Sequence, residues 1–197
     1  MQRFVDRHRF SAWPLAVLVL AASSLSVPAE APRAATQMDI ASAVNLAGRQ
    51  RMLSQRMVKA YLMLGQGIAA DDARIILRES IDQFASQLAA LKAFQPTPPV
   101  RSAVIKLDAE WTKFKTLLTA APSKAGAIDL YDANEALQKA AHSATLAYED
   151  VSGAPLDHLV NLAGRQRMLS QRMAKFYFYR TWEIHGDPAD MELHLSR

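Results

Sequence analysis

Residues 44–57 and residues 160–173 carry the same fourteen letters, VNLAGRQRMLSQRM, at an offset of 116. Packing alone asks a helix only for apolar residues at the right period, so polar positions are free to drift. Here they have not drifted. Asn45, Arg49, Gln50, Arg51, Ser54, Gln55 and Arg56 recur as Asn161, Arg165, Gln166, Arg167, Ser170, Gln171 and Arg172. The flanks have diverged, with Ala60-Tyr61-Leu62-Met63 opposite Phe176-Tyr177-Phe178-Tyr179. An internal repeat constrains architecture before any local pattern is read. The bland reading is a recent duplication. The retained polar letters favour a functional box.

The N-terminus reads as an address. Arg3, Arg7, His8 and Arg9 precede an apolar run from Ala12 to Ala22, short of the ~20 residues that span a bilayer. Val27-Pro28-Ala29 suits signal-peptidase cleavage before Glu30. Residues 1–29 are thus expected to be a signal peptide, with an uncleaved membrane anchor as the alternative. Either way the bulk of the chain is expected in the periplasm or outside the cell. Without residues 1–29 the count is 20 Lys and Arg against 18 Asp and Glu. So mild a charge makes no case for nucleic acid. The chain has no cysteine, which excludes disulfides, thiolate metal sites and thiol catalysis.

Periodicity predicts an all-α chain. A first helix runs from about Met38 to Leu64 and holds the first box. A second carries Leu77, Ile81, Phe84, Leu88 and Leu91, and a third Val104, Leu107, Trp111, Phe114 and Leu118. After a loop over Pro122 to Gly126, a fourth carries Leu130, Leu137, Ala141, Ala144 and Tyr148. Ser152-Gly153-Ala154-Pro155 breaks the chain before the second box. Short connections imply antiparallel neighbours, hence an up-down four-helix bundle followed by a fifth helix. The first unit covers 38–150. The segment 156–197 begins a second, incomplete unit, because the offset continues from Tyr61/Tyr177 through Leu77/Leu193. Residues 187–197 are expected to be poorly ordered. The apolar face of the fifth helix, Leu162, Leu169, Met173 and Phe176, is expected to lie bare unless the first bundle or another chain covers it.

At 100° per residue, Leu46, Leu53, Met57, Ala60 and Leu64 form the core stripe of the first box helix. Asn45, Arg49, Met52, Arg56 and Lys59 fall on the opposite, charged side. A third arc holds Val44, Ala47, Gly48, Arg51, Ser54, Gln55, Val58 and Leu62. Arg51 thus lies among small and apolar residues, away from its fellow arginines. The second copy offers the same arc around Gly164, Arg167 and Ser170. A glycine in mid-helix costs about 0.5–1 kcal/mol against alanine, and repays it where something must come close. A lone arginine on such a seam is usually ion-paired or snorkelling. Two that recur with their small neighbours suit an anion, because a guanidinium fork matches a planar oxyanion. Two facing forks repel each other until an anion lies between them.

At these residues the chain resembles a known family. The box, with Asn45, Ala47, Gly48, Arg51, Met52, Ser54 and Arg56 repeated as Asn161, Ala163, Gly164, Arg167, Met168, Ser170 and Arg172, is similar to the signature of PilJ-like N-terminal domains of type IV pilus chemotaxis transducers. It is also similar to the periplasmic sensing domains of nitrate/nitrite sensor kinases. The resemblance implies a four-helix bundle and a sensory role. It implies that Arg51 and Arg167 bind a nitrate- or nitrite-like oxyanion between two box helices, with Asn45, Gly48, Ser54, Asn161, Gly164 and Ser170 around them. Two boxes can meet within one chain or in a dimer, and the incomplete second bundle makes a homodimer the expectation. A membrane-bound sensor or transducer is the other expected partner, since the chain has no kinase or methyl-accepting coiled coil. No cofactor, metal site or catalytic set is expected. Glu183-Ile184-His185 and Glu192-Leu193-His194 lack Glu-x-x-His spacing, and His142 and His158 stand alone. A purely structural pairing module is the rival reading.

Overall fold

The computed structural model describes residues 38–184. The signal-peptide reading and the reading of 187–197 lie outside the described residues. Five helices follow one another: α1 (Ile40–Gly65), α2 (Ala70–Ala93), α3 (Pro98–Leu118), α4 (Lys124–Ser152) and α5 (Pro155–Thr181). Local chemistry sets their ends. Asp39 starts α1 by accepting a hydrogen bond from the Ser42 backbone at 2.7 Å. Thr97 and Ser123 cap α3 and α4 in the same way, and prolines occupy the first turns of α3 and α5. The loop expected over Pro122–Gly126 is shorter than that, because the Ser123 cap starts α4 at Lys124. Among the described residues no helix is long and apolar enough to cross a membrane.

Cross-helix contacts fix the directions. Gln50 and Arg56 of α1 meet Phe84 and Glu79 of α2, so these two run antiparallel. Phe84 stacks on Trp111 of α3 at 4.2 Å, and Lys92 pairs with Asp108. Asn134 of α4 donates to the Ser54 carbonyl of α1 at 2.9 Å, while Ser123 at the start of α4 donates to the Tyr61 hydroxyl. Tyr148 closes the far end by donating to the Leu91 and Phe94 carbonyls. Every apolar position read from the periods of α3 and α4 is buried, as are Phe84, Leu88 and Leu91 of α2. Leu77 and Ile81 are half-buried against the same core.

Helix α1 is enclosed by α2, α4 and α5. The whole third arc of its wheel is buried, from Val44 to Leu62, and the charged side is half-buried. Helices α4 and α5 cover that arc. Arg51 meets Asn161, and Gln66 donates to the Phe178 carbonyl at 3.0 Å, so α1 and α5 run parallel. The two boxes therefore lie side by side within one chain, and dimerisation is not needed to bring them together.

The second box does not reuse the first box's faces. Asn161, Gly164, Met168 and Arg172 are buried in α5, whereas Arg167, Ala163 and Ser170 are exposed. The reason is tertiary. Among the described residues helix α5 packs on α1 and, more lightly, on α4, and the face toward them is covered. That face is unusually polar. Ser152 hydrogen-bonds Asp157, Arg172 pairs with Glu135 at 2.8 Å, and Tyr179 donates to the Ala127 carbonyl at 2.7 Å. Lys175 is fully buried; its ammonium donates to Asn134 Oδ1 at 2.8 Å and to Glu135 Oε1 at 3.0 Å, and lies 4.5 Å from the Phe176 ring centre. Of the apolar stripe expected to lie bare, Leu162 and Met173 are 44% and 60% exposed, Leu169 is half-buried, and Phe176 is buried against Tyr131.

A Cβ on Gly65 would sit 2.0 Å from the Trp182 ring, which covers the end of α1. Gly65→Ala gains about 0.5–1 kcal/mol of helix propensity but forces the ring away, and overpacking costs about 1–3 kcal/mol. A net loss of about 1 kcal/mol is expected in urea unfolding, with Trp182 fluorescence shifted to the red; a neutral or stabilised variant contradicts the contact. A second prediction concerns Lys175, which burial drives from its ordinary 10.5 down to about 8 against the pull of Glu135. Between those values the unfolded chain holds a proton that the folded chain has lost, so stability rises with pH across the window. Tyr148, pushed up to about 12, and Tyr179, also raised by burial, have ordinary values of 10.0 and remove stability above it. Stability should therefore climb from pH 8 towards 10 and then fall. Lys175→Met should lose the climb and keep the fall, and a wild type that only loses stability above pH 8 refutes the assignment.

Candidate ligand-binding site between the repeated boxes

Arg51 is the largest fully buried side chain and lies where α1, α4 and α5 meet. Its room comes from glycine. A Cβ on Gly48 would stand 3.3 Å from Arg51 Nη2, and one on Gly164 would stand 3.4 Å from the same nitrogen. One glycine from each box therefore flanks the guanidinium, which is the close approach that two mid-helix glycines allow. Each nitrogen has a neighbour. Nη2 donates to Asn161 Oδ1 at 2.7 Å and to the Asn161 carbonyl at 3.2 Å. Nε donates to the Gly48 carbonyl at 3.4 Å, and Nη1 lies 3.2 Å from His142 Nδ1. Asn161 passes the charge on, since its amide donates to Glu149, whose other oxygen meets His158. Burial and the Arg165 guanidinium pull Arg51 down to about 10, with Glu149 opposing, so it stays cationic at neutral pH.

A cleft of about 490 Å³ opens beside this joint. Among the described residues Arg51, Lys139, His142, Arg165 and Arg172 line it, with Glu135 as the one carboxylate. Glu135 is engaged by Arg172 and Lys175. The wall is thus positive. His142 feels it: burial, then Arg51 and Arg165, hold its imidazole below the ordinary value, with Glu149 opposing. A neutral His142 can accept from Arg51 Nη1. Among the described residues no group of His, Asp or Glu could hold a metal ion.

The sequence-derived residues fall into two sets. Arg51, Gly48, Asn161 and Gly164 come together. Arg167 joins them from the exposed side of α5: a Cβ on Gly164 would lie 3.9 Å from its Nη2 as well as 3.4 Å from that of Arg51. The two guanidinium groups thus converge on one glycine. Asn45, Ser54 and Ser170 stand apart. Asn45 is half-buried and Ser170 exposed on its own helix, while the Ser54 hydroxyl donates back to the Arg51 carbonyl at 2.8 Å. Sequence reasoning missed His142, Lys139 and Arg165. Arg165 is the counterpart of Arg49, which the wheel assigned to the outward charged side. Only the turning of α5 against α1 and α4 brings it to the cleft.

No curated protein and no solved structure matches this chain. A family model does match. It is that of the type IV pili methyl-accepting chemotaxis transducer N-terminal domain, PilJ, and it covers residues 34–141, from before α1 well into α4. The match contains the first box and spans more than half of the 197 residues. It bears out the resemblance carried by Asn45, Gly48, Arg51 and Arg56: the chain belongs to the PilJ family of chemotaxis-transducer N-terminal domains.

Proposed function

We propose that this chain is an exported, non-enzymatic sensory module that binds a small oxyanion of the nitrate or nitrite class at the seam of its two boxes. Membership of a transducer-domain family supports the sensory part. The observation that carries the ligand is the cluster of cations around Gly164. Arg51 and Arg167 converge on it, and Arg165 and Lys139 add to one side, where a neutral His142 supplies a polar ring nitrogen. So many positive groups, with Glu135 already engaged, favour an anion among them. A planar oxyanion takes paired N–H donors from a guanidinium fork. The signal-like residues 1–29 support export, and the module passes its state to a membrane-bound transducer or to a second copy of itself. In this reading α1–α4 form the first unit and α5 opens a second, incomplete one.

One observation favours the rival reading of a structural pairing module. Every Arg51 nitrogen already has a partner within the protein. Thermal unfolding in nitrate, nitrite, sulfate and phosphate separates the two. A ligand bound only by the folded state adds about 2.7 kcal/mol at one hundred times its Kd. Nitrate or nitrite should raise the Tm of the wild type, and Arg165→Gln/Arg167→Gln, which alters exposed side chains only, should abolish most of that rise. If no anion stabilises the wild type more than the variant, the seam is structural.

A further inference from the structure

Helices α4 and α5 run antiparallel, since Glu149 meets Asn161 while Glu135 meets Arg172. They touch lightly, and the cleft of about 490 Å³ runs between them. Its lining changes along its length. Arg51, His142 and Arg165 line one end, and Glu135 and Arg172 the other. Arg165 and Arg172 stand seven residues apart on α5, which is two turns or about 10 Å. Between them α5 contributes Met168 and Leu169, and α4 contributes Ala136 with Lys139 exposed at the rim. The cleft is thus cationic at each end and largely apolar in between.

Two observations point past an occupant of nitrate size. A water molecule takes about 30 Å³ in the liquid, so an oxyanion of four atoms leaves most of the cleft open. The other is Arg172. It is 6% exposed, its Nη2 donates to Glu135 Oε2 at 2.8 Å, and its Nε is buried with no acceptor among the described residues. A buried donor without an acceptor is rare and costly, and an acceptor on a ligand would satisfy it. Glu135 opposes such a group only weakly, because Arg172 and Lys175 both pair with it. We propose that the cleft takes a short aliphatic dicarboxylate. One carboxylate lies at the Arg51–Arg165 end, the second accepts from Arg172 Nε, and the methylenes lie against Met168 and Leu169. This rests on the oxyanion seat at the seam and extends it, since a carboxylate offers a guanidinium fork the same planar pair of oxygens as nitrate. A single carboxylate fills one end alone. The second adds a charge-assisted bond, and the methylenes cover apolar side chains.

Titration calorimetry and thermal unfolding of the purified protein with nitrate, acetate, succinate, glutarate and adipate test it, with ionic strength held constant by sodium chloride. The best dicarboxylate should bind at least about tenfold more tightly than acetate, the factor that one charge-assisted hydrogen bond supplies. Arg172→Lys keeps a charge for Glu135 but lacks the Nε donor, and should bring that ratio close to one. Leu169→Trp narrows the middle of the cleft from a half-buried position and should do the same, which keeps the test open if Arg172→Lys fails to fold. Nitrate binding with no dicarboxylate tighter than acetate overturns the proposal and leaves the oxyanion seat standing. No binding by any of these anions, in heat or in Tm, overturns both. A tenfold ratio that survives in either folded variant also overturns the proposal.

Discussion

A fully buried guanidinium sets the geometry of this protein. Arg51 lies at the meeting of three helices, and a buried charge is tolerated only when its donors are satisfied. Its best acceptor, Asn161, comes from a helix that starts more than one hundred residues later. If the Asn161 acceptor were lost with α5 still docked, that side of the buried cation would be left unpaired, at a cost of about 1.5–3 kcal/mol. The polar contacts that follow along α5, at Arg172, Lys175 and Tyr179, extend the same joint over five turns or so. Directed bonds thus fix the register of α5 against α1.

The same fourteen letters therefore do two jobs. In α1 they build an interior helix whose small, semi-apolar arc receives another helix. In α5 they present Asn161, Gly164, Met168 and Arg172 to that arc. Both glycines serve one end, since each leaves room for Arg51 Nη2. The pairing uses Gly48 and Arg51 of the first copy and Asn161, Gly164 and Arg172 of the second. In the proposed reading, an anion beside Arg51 would touch one of the groups that hold α5, which would couple its occupancy to the register of that helix.

Much of this was legible in the sequence. The periods of α2, α3 and α4 named their buried residues, from Phe84 to Tyr148, because each of these helices shows one apolar face to one core. The wheel also isolated Arg51 and its buried arc correctly. It failed for α5, where it carried over the faces of the first copy. A repeated sequence repeats its local structure, but not its neighbours, and burial is decided by neighbours. His142, Lys139 and Arg165 were missed for the same reason: they come from α4 and from the turned face of α5, and no spacing in the chain links them. Asn134 and Lys175, which tie α4 to both box helices, are likewise long-range partners.

Arg51 and Asn161 join the two boxes within one chain. A double-mutant cycle on Arg51→Met and Asn161→Leu, read by urea unfolding at several protein concentrations, tests this joint most directly. Hydrogen bonds to a charged group contribute about 1.5–3 kcal/mol, so the account predicts a coupling energy in that range, with the double variant more stable than the sum of the single losses allows. Losses that add to within about 0.5 kcal/mol, the behaviour of independent sites, would contradict it.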